Sequence, residues 1–384
     1  MKFFHLSDLH IGVKLYNRDL SEDQRYVFER IAEYARAEQP DAIIIAGDIY
    51  DKAVPAAESV EMFDGFVNAL TQAAPEAEIM MISGNHDSAP RINVFRQVLR
   101  SRRIHMIGLP PERPDEHIER VTLTDEYGPV TFYLLPFVKP GMVRAITGAD
   151  ENGNLLSYDK AVRALLAREE VDTSSRNVLV SHQFYLPAGK PAEEVKRTDT
   201  EVVTVGNIDQ VGADALDPFD YAALGHIHTP MQVGRDTVRY CGTPLAVSVS
   251  EAGQEKGIVC VEMGAKGTVN TRVLPLIPLR QVRKVEGSLP EVLEQASDDY
   301  ITVVLTDTVD RDAADMQDRL RAAFPRLLEV RRAAGPGATY QPAAAADIPD
   351  LNVFDQCLAF LGDLPEEDQA LLADIINTVK EEQA

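Results

Sequence analysis

The sequence predicts a layered α/β domain with more than one sheet, a small second α/β unit and a helical tail. Three observations carry this. Short apolar runs alternate with helical periodicity over residues 1–278, the signature of mixed sheets covered by helices. Five of those runs end in metal-ligating side chains, and open α/β sheets place their ligands beyond strand ends. A second, shorter strand and helix pattern at residues 279–334 precedes a Gly/Pro/Ala-rich stretch and two amphipathic segments.

Residues 3–6 are a continuous apolar run of strand length, as expected for a strand buried on both faces. Helical periodicity follows at 21–36, a second run at 42–46, a helix at 59–73 and a third run at 79–82. Residues 120–125 and 130–135 flank Glu126-Tyr127-Gly128-Pro129 and predict a hairpin. A helix at 158–170 leads to runs at 178–180 and 221–224, and strands follow at 237–241, 257–263 and 269–274. The small unit reads as strand 282–285, helix 289–296, strand 300–305, helix 312–324 and strand 327–330.

Residues 335–349 belong to a Gly/Pro/Ala-rich linker. In the tail, residues 350–384, Val353, Phe354, Cys357, Leu358 and Leu361 make one apolar stripe, closed by Gly362. Pro365 opens a second helix, with Leu371, Leu372, Ile375, Ile376 and Val379 on its stripe. Two short helices bury little surface alone, so these faces call for a partner or for docking back on the main domain.

The chain has 384 residues, enough for two or three domains. No run approaches the ~18–20 apolar residues of a membrane span. The first residues, Met1 to Asp8, reach a carboxylate too soon for a signal peptide. Three scattered cysteines, Cys241, Cys260 and Cys357, suggest neither a disulfide framework nor a zinc knuckle. A reducing cytoplasm is the expected setting. The net charge of −23 argues against a protein that grips nucleic acid unaided. Bound divalent ions would reverse the field locally.

The five motifs are Asp8-Leu9-His10, Gly47-Asp48, Gly84-Asn85-His86-Asp87, Ser181-His182 and Gly225-His226-Ile227-His228. On an extended segment, Asp8 and His10 would turn the same way with Leu9 opposed. Asp48 offers a carboxylate able to bridge two ions, Asn85 an amide oxygen, and His182, His226 and His228 imidazoles. Mixed oxygen and nitrogen donors without thiolate suit Mn, Fe or Zn. Two such ions lower the pKa of a shared water and screen a phosphodiester's charge. His86, beside Asn85, is placed to contact a phosphoryl oxygen or protonate a leaving group. Asp87 is expected to hydrogen-bond His86 and fix its tautomer. His5, His105 and His117 fit no motif and read as structural.

In this order the motifs resemble the calcineurin-like metallophosphoesterase superfamily. The longer segments Leu6 to Gly12, Gly47 to Asp51, Gly84 to Ser88, Tyr221 to His228 and Arg239 to Pro244 are similar to its DNA-end nuclease subunits that work with an SMC-type ATPase. The resemblance implies a layered β-sandwich flanked by helices. It implies two divalent ions, most often Mn2+. Asp8, His10, Asp48 and His228 would hold one, and Asp48, Asn85, His182 and His226 the other. It further implies 3′-to-5′ cleavage of double-stranded ends and cutting of single strands and hairpins. A small capping unit would touch DNA, and the tail (Val353, Phe354, Leu358, Leu361, Leu372, Ile375, Ile376) would bind the ATPase. A homodimer within a heterotetramer would form through helices near the site, with residues 59–73 and 92–99 as candidates. Lys14, Tyr16, Asn17, Arg18, Lys52 and Arg91 are candidate DNA contacts. Two competing readings are a small-molecule phosphoesterase, which the acidic charge suits, and a non-catalytic adaptor, which would be expected to lack a ligand.

Overall fold

The computed structural model describes residues 1–187, 210–307 and 313–333, and residues 1–332 form one compact unit. The linker (335–349) and the tail with Val353, Phe354, Leu358, Leu361, Leu372, Ile375 and Ile376 lie outside the described residues.

The chain opens with β1 (Lys2–Leu6), a small hairpin β2 (Lys14–Leu15) and β3 (Arg18–Asp19), and helix α1 (Ser21–Glu38). Then come β4 (Ala42–Ala46), α2 (Ala57–Ala73), β5 (Glu78–Ile82), the short helices α3 (Ala89–Ile92) and α4 (Arg96–Arg100), and β6 (Ile104–Ile107). The second half holds β7 (Glu119–Asp125), β8 (Gly128–Leu135), α5 (Arg144–Thr147), α6 (Tyr158–Ala167), β9 (Arg176–His182), β10 (Phe184–Leu186), β11 (Gln210–Gly212) and β12 (Tyr221–Gly225). It closes with β13 (Met231–Val233), β14 (Arg235–Tyr240), β15 (Gly257–Met263) and β16 (Val269–Pro275). The small unit is β17 (Val282–Gly287), α7 (Leu289–Leu293), β18 (Tyr300–Leu305), α8 (Ala313–Ala323) and β19 (Leu327–Arg332).

Two six-stranded sheets face each other, in the orders β16-β15-β1-β4-β5-β6 and β13-β14-β12-β9-β8-β7. The strands β1, β4, β5 and β6 run parallel, as do β8, β9, β12 and β14. Parallel strands buried on both faces need continuous apolar runs, which explains Ala42-Ile43-Ile44-Ile45-Ala46, buried throughout. Alternate residues serve different layers. Phe3, Ile44, Met80, Phe132, Val178, Tyr221 and Val261 fill the space between the sheets. Phe4, Leu6, Ile43, Ile45 and Met81 pack outward against Val27, Phe28, Ile31, Phe63 and Phe66 of α1 and α2. The second sheet buries its outer face under Ala161, Val162 and Leu165 of α6. The result is a helix–sheet–sheet–helix sandwich. Phe3 anchors its middle, edge-on to Phe132 at 5.4 Å and to Tyr221 at 5.6 Å.

Helix α1 carries Glu22 and Asp23 in its first turn and Arg36 in its last, complementing the helix dipole. Helix α6 starts at Ser157, whose hydroxyl accepts the Lys160 N–H. The predicted helix 158–170 stops at Ala167, and 289–296 stops at Leu293. Strand β6 and the β2–β3 hairpin have no counterpart in the sequence pattern. The hairpin turns on Tyr16 and Asn17, both with φ in the left-handed region (49° and 66°), as a two-residue hairpin loop requires.

The small unit has its own three-stranded parallel sheet, β17-β18-β19, and its own core of Val285, Val292, Ile301, Val303, Met316, Leu320 and Phe324. It is tied to the sandwich through Asp23. That buried carboxylate accepts from Arg280 at 2.9 Å and from Tyr300 Oη at 2.8 Å. Tyr16 also donates to Glu329, and Arg18 reaches the Leu327 carbonyl.

Phe132 is fully buried between the two sheets. Phe132→Ala should cost about 3–5 kcal/mol. In urea titration the midpoint should fall with an unchanged slope.

Candidate metal centre

Five parallel strands, β1, β4, β5, β9 and β12, end at one edge of the sandwich and deliver the five motifs there. Three come from the first sheet and two from the second. Asp8 and His10 do not continue a strand as expected. Their φ angles are 53° and 43°, because the chain leaves β1 and runs beside the loop after β4. Asp8 N–H donates to Gly47 O, His10 N–H to Asp48 O and Ile11 N–H to Ile49 O, all within 3.0 Å. Leu9 still faces away, into the core under α1. Gln24 of α1 clamps the same turn. Its amide donates to the Leu9 and His10 carbonyls and accepts from Gly12 N–H.

The side chains form an unbroken series. His226 Nδ1 lies 2.8 Å from Asn85 Oδ1, and Asn85 Oδ1 lies 3.1 Å from His182 Nε2. His182 Nε2 is 3.2 Å from Asp48 Oδ2, Asp48 Oδ2 is 3.8 Å from His10 Nε2, and His10 Nε2 is 3.0 Å from His228 Nε2. Asp8 groups with His10 and His228 on one side and with Asp48 and His182 on the other. Its carboxylate is oriented by the Ser7 hydroxyl and the His226 N–H. All of the sequence-predicted metal ligands therefore meet in one place.

Close approach needs glycine at several points, Gly84 and Gly225 among them. A Cβ on Gly84 would sit 2.1 Å from Asp48 Oδ1, and one on Gly225 would sit 2.0 Å from the Ala46 carbonyl. The sheets are joined here by His182, whose Nδ1 donates to Ala46 O at 2.7 Å. A donating Nδ1 leaves Nε2 to face Asp48 and Asn85.

Burial drives the His10 imidazole down to about 3, keeping it neutral with a lone pair available. Burial also opposes charge on His182, but the Asp48 carboxylate beside it outweighs this and carries it up to about 9. Asp48 itself, despite burial, is held well below the usual carboxylate range by His182, His10 and His86. Burial pushes Asp8 up. Two buried carboxylates, an amide oxygen and two Nε2 atoms 3.0 Å apart form a donor set that cations relieve. The set fits divalent ions, with no thiolate among the converging donors.

His86 lies at the rim, half-buried. Its Nδ1 donates to the Asp51 carbonyl at 3.0 Å, its N–H donates to Asp48 Oδ1, and its ring stands edge-on to His10 at 4.8 Å. The expectation that Asp87 fixes the His86 tautomer is corrected, since the Asp51 carbonyl does so. Asp87 is buried and accepts three backbone N–H groups, from Ile49 (3.0 Å), Tyr50 (2.9 Å) and Gly84 (2.9 Å). It staples the loop after β4 to the loop after β5. Burial and the Asp48 charge raise it to about 6 against those three donors.

Gln24, Phe137 and Glu251 also belong to the surroundings of the site, and no sequence motif marks them; Asp51 ends the Gly47 to Asp51 segment. Phe137 lies parallel to His226 at 6.4 Å. Glu251 approaches His228 from behind and is held ionised, down to about 2, because His228 and Lys256 outweigh the cost of its burial. Only position in the fold reveals them. Lys14, Tyr16, Asn17, Arg18, Lys52 and Arg91 are all exposed, with Tyr16 and Arg18 also engaged by β19. His5 is structural, hydrogen-bonded to Tyr221 Oη and the Leu224 carbonyl inside the sandwich.

The calcineurin-like phosphoesterase family matches residues 1–230. The chain belongs to that family, and is by class a divalent-metal phosphodiester hydrolase. Residues 278–360 match a second family, the type 5 capsule protein repressor C-terminal domain. The SbcD subunit of the nuclease SbcCD from Staphylococcus epidermidis is 26% identical over 337 residues, 86% of this chain and 85% of that relative. The similarity to such nuclease subunits, suggested by the motifs, thus runs through most of the chain. Among solved structures, TT1561 of Thermus thermophilus (TM-score 0.40, 13% identity) covers 71% of this chain and is itself covered to 98%. A dimetal phosphatase from Danio rerio (TM-score 0.40, 13% identity) covers 72%, with 96% of its own length. No helix among the described residues is long and apolar enough to cross a membrane.

Asp87→Ala would strand three buried N–H donors, each costing about 1–3 kcal/mol. A lowered melting temperature and weaker metal binding are expected, with Asp87→Asn milder in both. A variant that melts and binds like the parent would refute the staple.

Proposed function

We propose that the chain is the nuclease subunit of an SbcC–SbcD-type complex, a Mn2+-dependent phosphodiesterase acting on DNA ends and hairpins in repair, replication and recombination. The observation that carries this is the convergence of Asp8, His10, Asp48, Asn85, His182, His226 and His228 from five strand ends, with Asp48 in reach of both His10 and His182. Asp8, His10 and His228, sharing Asp48, would hold one ion. Asn85, His182 and His226, sharing the same Asp48, would hold the other. When bound, two such ions acidify water toward neutral pH and neutralise charge on the phosphate.

The chain's own residues do the rest. His182 is held in one tautomer by Ala46, so its Nε2 always faces the centre. His86 is tethered at Nδ1 by the Asp51 carbonyl, and in its protonated, imidazolium form its Nε2 would donate a hydrogen bond or a proton to a phosphoryl or leaving oxygen. Asp87 keeps both loops in register and acts through position. The small unit, tied to the helix whose Gln24 clamps Leu9 and His10, acts as a cap that restricts access. Lys14, Asn17, Lys52 and Arg91 contribute local DNA contacts beside Tyr16 and Arg18. With a net charge of −23, most of the grip comes from the SMC-type ATPase SbcC, bound by the tail.

Dimerisation within a heterotetramer is supported by exposed apolar side chains at Val94 (51% exposed), Phe95 (73%) and Val98 (65%) in the 92–99 segment. By contrast α2 spends Met62, Phe63, Phe66 and Leu70 on the core. The setting proposed is the cytoplasm, at the nucleoid.

Hydrolysis of hairpin DNA should exceed that of a nucleotide monophosphate under Mn2+, most clearly with the ATPase present. The reverse preference would favour a small-molecule phosphoesterase. Asp48→Ala, which removes the shared ligand, should abolish cleavage. His86→Ala should still bind Mn2+ but lose about 10²–10⁴-fold in turnover. Failure of that variant to bind metal would overturn its assignment.

A further inference from the structure

Behind His228, away from the other ligands, lies a buried ion pair that the metal chemistry does not use directly. Glu251 and Lys256 are 2.6 Å apart, with side chains 0% and 4% exposed. Glu251 Oε1 faces His228 Nδ1 at 3.5 Å. The same carboxylate accepts from Thr243 Oγ1 at 2.6 Å and from the Val247 N–H at 3.3 Å. Lys256 Nζ also donates to the His228 carbonyl at 3.0 Å and to Gln254 Oε1 at 2.9 Å. The His228 carbonyl takes a further bond from Thr243 N–H at 3.2 Å. Gly242, with φ of 74°, lets this strand end come close, since a Cβ there would lie 2.5 Å from that carbonyl.

We infer that Glu251 and Lys256 are positioning residues that clamp His228 for its ion, Glu251 by accepting a hydrogen bond from Nδ1–H and Lys256 by fixing the main chain. This rests on the two-ion reading above. The stability contribution of such a pair does not account for it, because an apolar pair of equal volume is often as stable or more so. Its distinct contribution is orientation. A carboxylate behind a metal-ligating imidazole selects the tautomer, aims Nε2 and raises its basicity. His228 Nε2 points the right way, toward His10 Nε2 at 3.0 Å. His182 obtains the same restraint from a neutral carbonyl, that of Ala46. His228 differs in facing a charge. The ion held through His228 is therefore the one whose affinity depends on a remote residue.

The test is Mn2+ binding by the full chain, followed by calorimetry and by the paramagnetic signal of free Mn2+. The parent should bind two ions. Fewer than two would overturn the two-ion reading and the clamp with it. Glu251→Gln should weaken one ion about 10–100-fold and leave the other unchanged. In cleavage assays it should need correspondingly more Mn2+ while regaining turnover at saturation. Two ions bound with parental affinity in Glu251→Gln would overturn the clamp alone. In a His228→Gln background, Glu251→Gln should add no further loss of affinity, and additive losses would overturn action through His228. Should Glu251→Gln fail to fold, the parent itself decides. With Zn2+ bound and histidine nitrogen labelled, His228 should show a protected Nδ1 proton, and a bare Nδ1 would overturn the proposal.

Discussion

The hydrogen bond from His182 to the Ala46 carbonyl is the contact on which the centre depends. It joins the end of β9 in one sheet to the end of β4 in the other. Together with the His226 N–H donating to Asp8, it sets the two halves of the donor set against each other across the sheets. With it, one imidazole is held in a single tautomer, and its free nitrogen is aimed at Asp48 and Asn85. The packed interior below, with Phe3 wedged against Phe132 and Tyr221, holds the sheets together. Core packing thus becomes ligand geometry.

Electrostatics at the edge follow from burial. Carboxylates and imidazoles at nearly zero exposure cannot all ionise independently, and bound divalent ions would offset the charge they concentrate. That is how an acidic chain can hold a phosphodiester at all. The small unit is linked to this centre through one helix end. Asp23 of α1 receives Arg280 and Tyr300 from that unit, while its neighbour Gln24 holds the backbone of Leu9 and His10. The proposed cap and the metal ligands share a support.

Much of this was legible in the chain. Apolar runs of strand length marked β1, β4, β5, β9 and β12, because strands buried on both faces admit nothing else. The candidate metal ligands stood out by residue type directly after those runs. The hairpin of β7 and β8 followed from its turn. Less visible were features whose cause is distant in sequence. Strand β6 is short and interrupted by His105, which pairs with Glu78 across the sheet edge. The extended reading of Asp8 to His10 failed because the neighbouring loop at Gly47 to Ile49, not local propensity, shapes that turn.

Local pattern by itself determined the fold class, the donor types and the reaction they suit, since period, burial and side-chain chemistry are written residue by residue. Tertiary structure alone decided who acts on whom. It assigned Asp87 to three backbone donors and gave His86 to the Asp51 carbonyl. It also brought Glu251 and Lys256 from more than twenty residues away to the back of His228. Such partners are chosen by the proximity of strand ends in space, and no periodicity along the chain records that proximity.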